Sequence, residues 1–179
     1  MADMERLIRM ASEAGFERAA ALDPSTIALR DDVRAMCASN RCAAYGRNWA
    51  CPPYCGDLEA LRERIARYRT GLLVQTVAAL EDEFDGEGMM ATEREHKRRF
   101  TALHARLHPE WPGLMAMGAG ACTRCAVCSC PDAPCRCPDE RVSSMEAYGI
   151  LVLEVCRANG MGYYYGPGTI AFTSGFLLE

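Results

Sequence analysis

The sequence predicts an α/β or α+β chain, a mixed sheet flanked by helices, carrying two cysteine-rich metal-binding loops. Three observations lead there. Amphipathic helical segments alternate with apolar strand-like runs, which calls for layered packing around a shared core. The 179 residues match one domain of common size, 1–179, without an internal repeat or a linker. Ten of the eleven cysteines crowd into two short stretches, 37–55 and 122–137.

The elements follow in order. Met4, Leu7, Ile8 and Ala11 fall on one helical face and Gly15 stops that helix. Short strands are expected at Arg18–Leu22 and Thr26–Leu29. Asp31 can cap a short helix, DDVRAMC, that delivers Cys37 at its end. Residues 38–56 bear Gly, Pro and Asn and show no period. Asp57 caps a helix whose Leu58, Leu61 and Ile65 share a face. GLLVQTVAAL (71–80) is mostly apolar and bounded by turn signals, and reads as a buried strand. An acidic loop follows, then a helix over 89–107 that His108-Pro109 ends. Leu114–Gly118 reads as a strand entering the second cysteine stretch. Beyond it, Ser143 or Ser144 can cap a short helix around Met145–Ala147. A helix over 150–158 stops at Asn159-Gly160, and strands are expected at GYYYG and TIAFTSGFLLE.

The cysteines carry the chemistry. Thiolates at this density are natural ligands for soft metal centres. Cys122-x2-Cys125-x2-Cys128 lets one tight loop place three thiolates around an iron–sulfur cubane, as in bacterial ferredoxins. The fourth ligand is open between Cys130, Cys135, Cys137 and a distant residue. Cys37-x4-Cys42-x8-Cys51-x3-Cys55 is looser, and fits neither paired zinc knuckles nor a ferredoxin run. Its Cys51-Pro52-Pro53 step is stiff, which holds a ligand in place. Trp49, Tyr45 and Tyr54 are positioned in sequence to shield such a site. Zinc is the alternative metal, although three neighbouring thiolates exceed what one zinc knuckle supplies. Cys156 stands apart in an apolar run and reads as a buried thiol.

Other features weigh less. His96, His104 and His108 lie on roughly one side of a helix and read as half-exposed residues rather than metal ligands with Glu93 or Glu95. Glu81, Asp82, Glu83, Asp85 and Glu87 read as a solvated loop. Arg41, Arg47, Arg124, Arg136 and Arg141 stand near the cysteines, where cations offset the charge of a thiolate-ligated cluster. A net charge of −4 argues against nucleic acid as partner. The N-terminus resembles neither a signal peptide nor a membrane span, so a cytoplasmic chain with reduced cysteines is expected.

VRAMCASNRCAAYGRNWACPPYCG at 33–56, CTRCAVC…PCRCPDERVSSMEAYGI at 122–150 and YYYGPGTIAFTSGFLL near the C-terminus together resemble a family of cysteine-rich, predicted metal-binding proteins of prokaryotes. The resemblance implies metal ligands at Cys37, Cys42 and Cys51, and at Cys122, Cys125, Cys128 and Cys135. It implies no substrate. Cys55, Cys130 and Cys137 are additions to that pattern.

The functional expectation is an electron-transfer protein with two [4Fe-4S] clusters. Cys37, Cys42, Cys51 and Cys55 hold one, and Cys122, Cys125, Cys128 and Cys135 the other, with Cys130 and Cys137 as alternatives. A redox partner protein serving anaerobic metabolism goes with it. The rival expectations are a zinc-stapled binding module, and a catalytic or accessory iron–sulfur protein with an open iron site.

Overall fold

The computed structural model describes residues 3–179. Four antiparallel strands, β1 (Arg18–Leu22), β2 (Thr70–Ala79), β3 (Met115–Met117) and β4 (Thr169–Leu178), form one sheet in the order β1-β2-β4-β3. Helices α1 (Met4–Glu13), α2 (Asp31–Met36), α3 (Leu58–Ile65), α4 (Gly86–Leu107) and α5 (Val152–Ala158) complete the expected α/β architecture. The two central strands pair along their whole length, from Thr70 opposite Leu178 to Ala79 opposite Thr169.

Both faces of this sheet are covered, which is why β2 reads as a mostly apolar run rather than an alternation. Leu72, Val74, Phe176 and Leu178 meet Leu7, Met10 and Ala11 of α1 and Phe100, Leu103 and Leu107 of α4. On the other face Leu73, Met115, Met117 and Leu177 meet Leu58, Leu61 and Ile65 of α3 and Val152, Val155 and Cys156 of α5. The period-2 geometry of a strand sends neighbouring residues to opposite layers, so each strand feeds both cores. Among the described residues no helix is long and apolar enough to cross a membrane.

Helix starts follow their caps. Asp3 accepts from the Arg6 N–H, Asp57 from the Ala60 N–H, and Asp85 from the Gly88 N–H at 2.8 Å. Asp85 belongs to the acidic loop, which is otherwise solvated as expected. Its cap starts α4 at Gly86 rather than near residue 89.

Two expected strands are absent among the described residues. At 26–29, Asp23 caps a 3₁₀ turn over Pro24–Thr26, with Pro24 at its start. Only Leu29 keeps a β-bridge, to Ile150. At 162–166 the chain crosses over the buried amide of Gln75. Gln75 donates to the Gly162 carbonyl at 2.8 Å and accepts from the Tyr165 hydroxyl at 2.6 Å. The GYYYG segment thus satisfies a side chain in the sheet instead of pairing along it.

The cysteine stretches occupy the two longest excursions, 37–57 between α2 and α3, and 118–151 between β3 and α5. The second is pinned at its neck, where the Gly118 N–H donates to Ser143 O at 2.9 Å and the Met145 N–H to Gly118 O at 3.1 Å. Ser144 then caps the turn at Glu146–Tyr148, accepting from the Ala147 N–H at 3.1 Å. Gly149, with φ of +76°, brings the chain against Arg30, and a Cβ there would stand 2.6 Å from the Arg30 carbonyl oxygen. The Arg30 N–H donates to Gly149 O at 2.8 Å, which fixes α2, and Cys37 at its end, beside the second excursion.

Candidate metal centre

The first four cysteines come together around α2 and its loop. Cys37 caps the C-terminus of α2, and a 3₁₀ turn carries the chain to Asn40, whose φ of 52° reverses it. Asn40 Oδ1 accepts from the Tyr45 N–H at 3.0 Å, which closes the loop on itself. Cys37, Cys51 and Cys55 are half-buried and Cys42 is exposed. Arg34 donates to Cys55 Sγ at 3.3 Å and to the Gly56 carbonyl. Its partner Cys55 lies 21 residues on, so only the folding of the loop back onto α2 reveals the contact.

These thiols oppose one another's ionisation. Burial raises the Cys51 thiol first, and the charges of Cys42, Cys55, Cys37 and Cys122 raise it further, up to about 12. Cys37 is raised by burial, then by Cys42, Glu146 and Cys55, against the pull of Arg34. Burial also raises Cys55, while Arg34 and Arg141 draw it down. Such a group is unfavourable as bare thiolates and becomes favourable around a cation, which inverts each of these repulsions.

The second group lines a cleft of about 20 Å³, where Cys122, Cys125, Cys128, Cys135 and Cys137 face Arg124 and Arg141. Cys137 is raised by burial and then by its hydrogen bond with Cys125. Cys130 turns away. It is buried, with its thiol toward the Gly46 carbonyl of the first loop at 3.9 Å. Of the two alternative ligands, Cys137 therefore shares the space of the other four and Cys130 does not. The thiols gather without closing: among the described residues no three Cys, His, Asp or Glu side chains stand at metal-holding distance.

The two groups form one continuous patch. Asn48 Nδ2 donates to the Cys122 carbonyl at 2.9 Å and Trp49 Nε1 to the Ala133 carbonyl at 3.0 Å. The charge of Cys122 reaches Cys51, and Arg141 on the second cleft reaches Cys55. Nothing in the spacing announced Asn48, whose role depends on how the loops dock. The aromatic shield is partial: Trp49 packs on Tyr54 at 4.9 Å, while Tyr45 and Tyr54 remain exposed. Of the five arginines near the cysteines in sequence, Arg124 and Arg141 line the cleft. Arg136 instead donates to the Val127 carbonyl.

Outside the patch, Cys156 is fully buried, as its apolar surroundings in sequence indicate. His96 corrects the expectation of half-exposed histidines. It is 0 % exposed, because it continues the buried α4 stripe of Phe100, Leu103 and Leu107 one turn earlier. Its ring pairs with Thr76 Oγ1 at 3.0 Å and Ser174 Oγ at 2.7 Å rather than with Glu93 or Glu95. His104 and His108 stay toward the surface with rings 5.6 Å apart.

The donor set fits a soft metal: nine thiols in one patch, with arginines placed to offset the charge of ligated thiolates. No curated protein and no solved structure matches the chain. A family's sequence model matches residues 20–178, both cysteine loops included, and the chain belongs to that family, described as Predicted metal-binding protein (DUF2284).

Proposed function

We propose that this metal-binding protein is an iron–sulfur electron carrier with two [4Fe-4S] clusters. Cys37, Cys42, Cys51 and Cys55 hold one. Cys122, Cys125, Cys128 and Cys135 hold the other, with Cys137 the alternative fourth ligand. The carrying observation is the docking of the two cysteine loops, where Asn48 Nδ2 of the first donates to the Cys122 carbonyl of the second at 2.9 Å. Structural zinc needs four thiols per loop and no contact between loops. Two redox centres exchange electrons more readily the nearer they stand.

When bound, the clusters supply reversible one-electron chemistry. The chain's own groups would tune it: Arg34 beside Cys55, and Arg124 and Arg141 beside the second group, stabilise added negative charge. Met36, Tyr45, Tyr54 and Val127 are exposed on or beside the two loops, and offer a docking face for a redox partner protein in an anaerobic cytoplasm.

A second reading, zinc held by the same thiols as a staple, has its own support. The cleft between Cys122 and Cys137 holds about 20 Å³, close to the space of one water. That space is of the size of a single ion, whereas a cubane requires the loop to open. Iron, zinc and acid-labile sulfide are to be measured on protein purified without oxygen. About eight iron and eight sulfide per chain, with a visible band that bleaches reversibly on reduction, is the expected result. About two zinc and no sulfide refutes electron transfer and leaves the staple.

A further inference from the structure

A second cavity opens beside the cysteine patch, between α4 and the segment 118–124, with a volume of about 300 Å³. This is the lower end of the range for small-molecule sites. It shares Cys122 and Arg124 with the cysteine cleft, so whatever occupies it stands next to the second cysteine group.

Its walls are of two kinds. Phe100 and Val142 supply apolar surface, while Lys97, Arg98 and Arg124 supply three cations against the one carboxylate of Glu140. Lys97 is held by Glu93 at 2.6 Å and Arg98 by Glu95 at 2.7 Å. Arg124 is held least: it meets Glu140 at 3.3 Å, the longest ion pair among the described residues. A guanidinium carries five N–H donors, so most of Arg124 remains available.

The floor is polar and already paired. His96 and Ser174 both line the cavity, and both are 0 % exposed. The His96 ring pairs through Nδ1 with Thr76 Oγ1 at 3.0 Å and through Nε2 with Ser174 Oγ at 2.7 Å, so these groups satisfy one another beneath the cavity.

We propose that this cavity binds a small monocarboxylate with an apolar body, its carboxylate met by Arg124 and its body against Phe100 and Val142. The proposal goes beyond the electron-transfer reading, and its cavity shares Cys122 and Arg124 with the metal patch. It gives the protein a small-molecule ligand adjacent to its metal patch.

The test is calorimetric titration of the full-length protein, as purified, with benzoate and isovalerate. Benzamide serves as the uncharged counterpart and inorganic phosphate as the anion without an apolar body. One carboxylate per chain is expected, with benzamide at least about tenfold weaker, the loss of one charge-assisted contact. Arg124→Met weakens benzoate about tenfold and leaves benzamide unchanged. Equal binding of benzoate and benzamide, stronger binding of phosphate, or no saturation by either carboxylate overturns the proposal. Metal and sulfide content of the same preparations reports separately on electron transfer.

Discussion

Replacing Asn48 with alanine removes two hydrogen bonds at the junction of the cysteine loops. The Nδ2 donor to Cys122 O, at 2.9 Å, joins one loop to the other, and Oδ1 accepts from the Ala50 N–H at 3.0 Å within the first. Asn48 is 8 % exposed and Ala50 1 %, so water does not readily replace either bond. At about 1 kcal/mol each the loss is about 2 kcal/mol, a factor of about 30 in the docking equilibrium. The two loops contribute to the packed cores only through Val142 and the segment after Ser144. The cost therefore falls on loop docking rather than on the sheet. Because metal affinity is coupled to the order of its ligands, Asn48→Ala should release metal to a competing chelator at about thirtyfold lower chelator strength. Urea unfolding of the metal-free chain, followed by far-UV circular dichroism, should barely move. Unchanged metal retention refutes docking through Asn48. An equal loss in both assays shows instead that the loops and the sheet unfold as one unit.

Two further outcomes follow from the same chemistry. Burial first, then Arg99 and Lys97, hold His96 down to about 3, below its ordinary 6.5. The unfolded chain thus binds the proton more readily, and stability falls as pH drops from about 6.5 toward 3, by an amount on the order of 5 kcal/mol. His96→Gln should flatten that part of the pH profile of urea midpoints, and an unchanged profile removes His96 as the cause. In the metal-free chain, Cys37, Cys51 and Cys55 ionise above the ordinary thiol value of 9.0, so they are protonated at pH 8. Zinc titrated into chelated protein at that pH should release about three protons or more per chain to a pH indicator. Fewer would mean that these three thiols do not all ligate.

Much of the fold was readable because it rests on local signals. Aspartates stand at helix starts, Asn159-Gly160 ends α5, and β2 shows the mostly apolar run of a strand covered on both faces. The two missed segments failed for definable reasons. Pro24 behind Asp23 favours a turn over a strand, which the chain order itself could have revealed. The GYYYG segment looks like strand by composition, and only the buried amide of Gln75 claims its polar groups. His96 was misjudged because helical spacing places a residue on a face without saying what packs there. Phe16 and Phe172 rings complete its enclosure from distant parts of the chain.

The sequence by itself determined that this chain belongs with cysteine-rich, predicted metal-binding proteins, since ligand chemistry belongs to residue type and cysteine density is visible without coordinates. It also determined the layered α/β class, because hydrophobic periodicity is a property of nearest neighbours along the chain. Tertiary structure alone decided that the two cysteine groups meet, that Cys137 joins the second group while Cys130 turns to Gly46, and that a cationic cavity opens at Cys122. These depend on docking two loops far apart in the chain, held by Asn48, Trp49 and Gly149. Contacts at such separation leave no periodic trace, because each rests on one hydrogen bond or one close approach rather than on a repeating face.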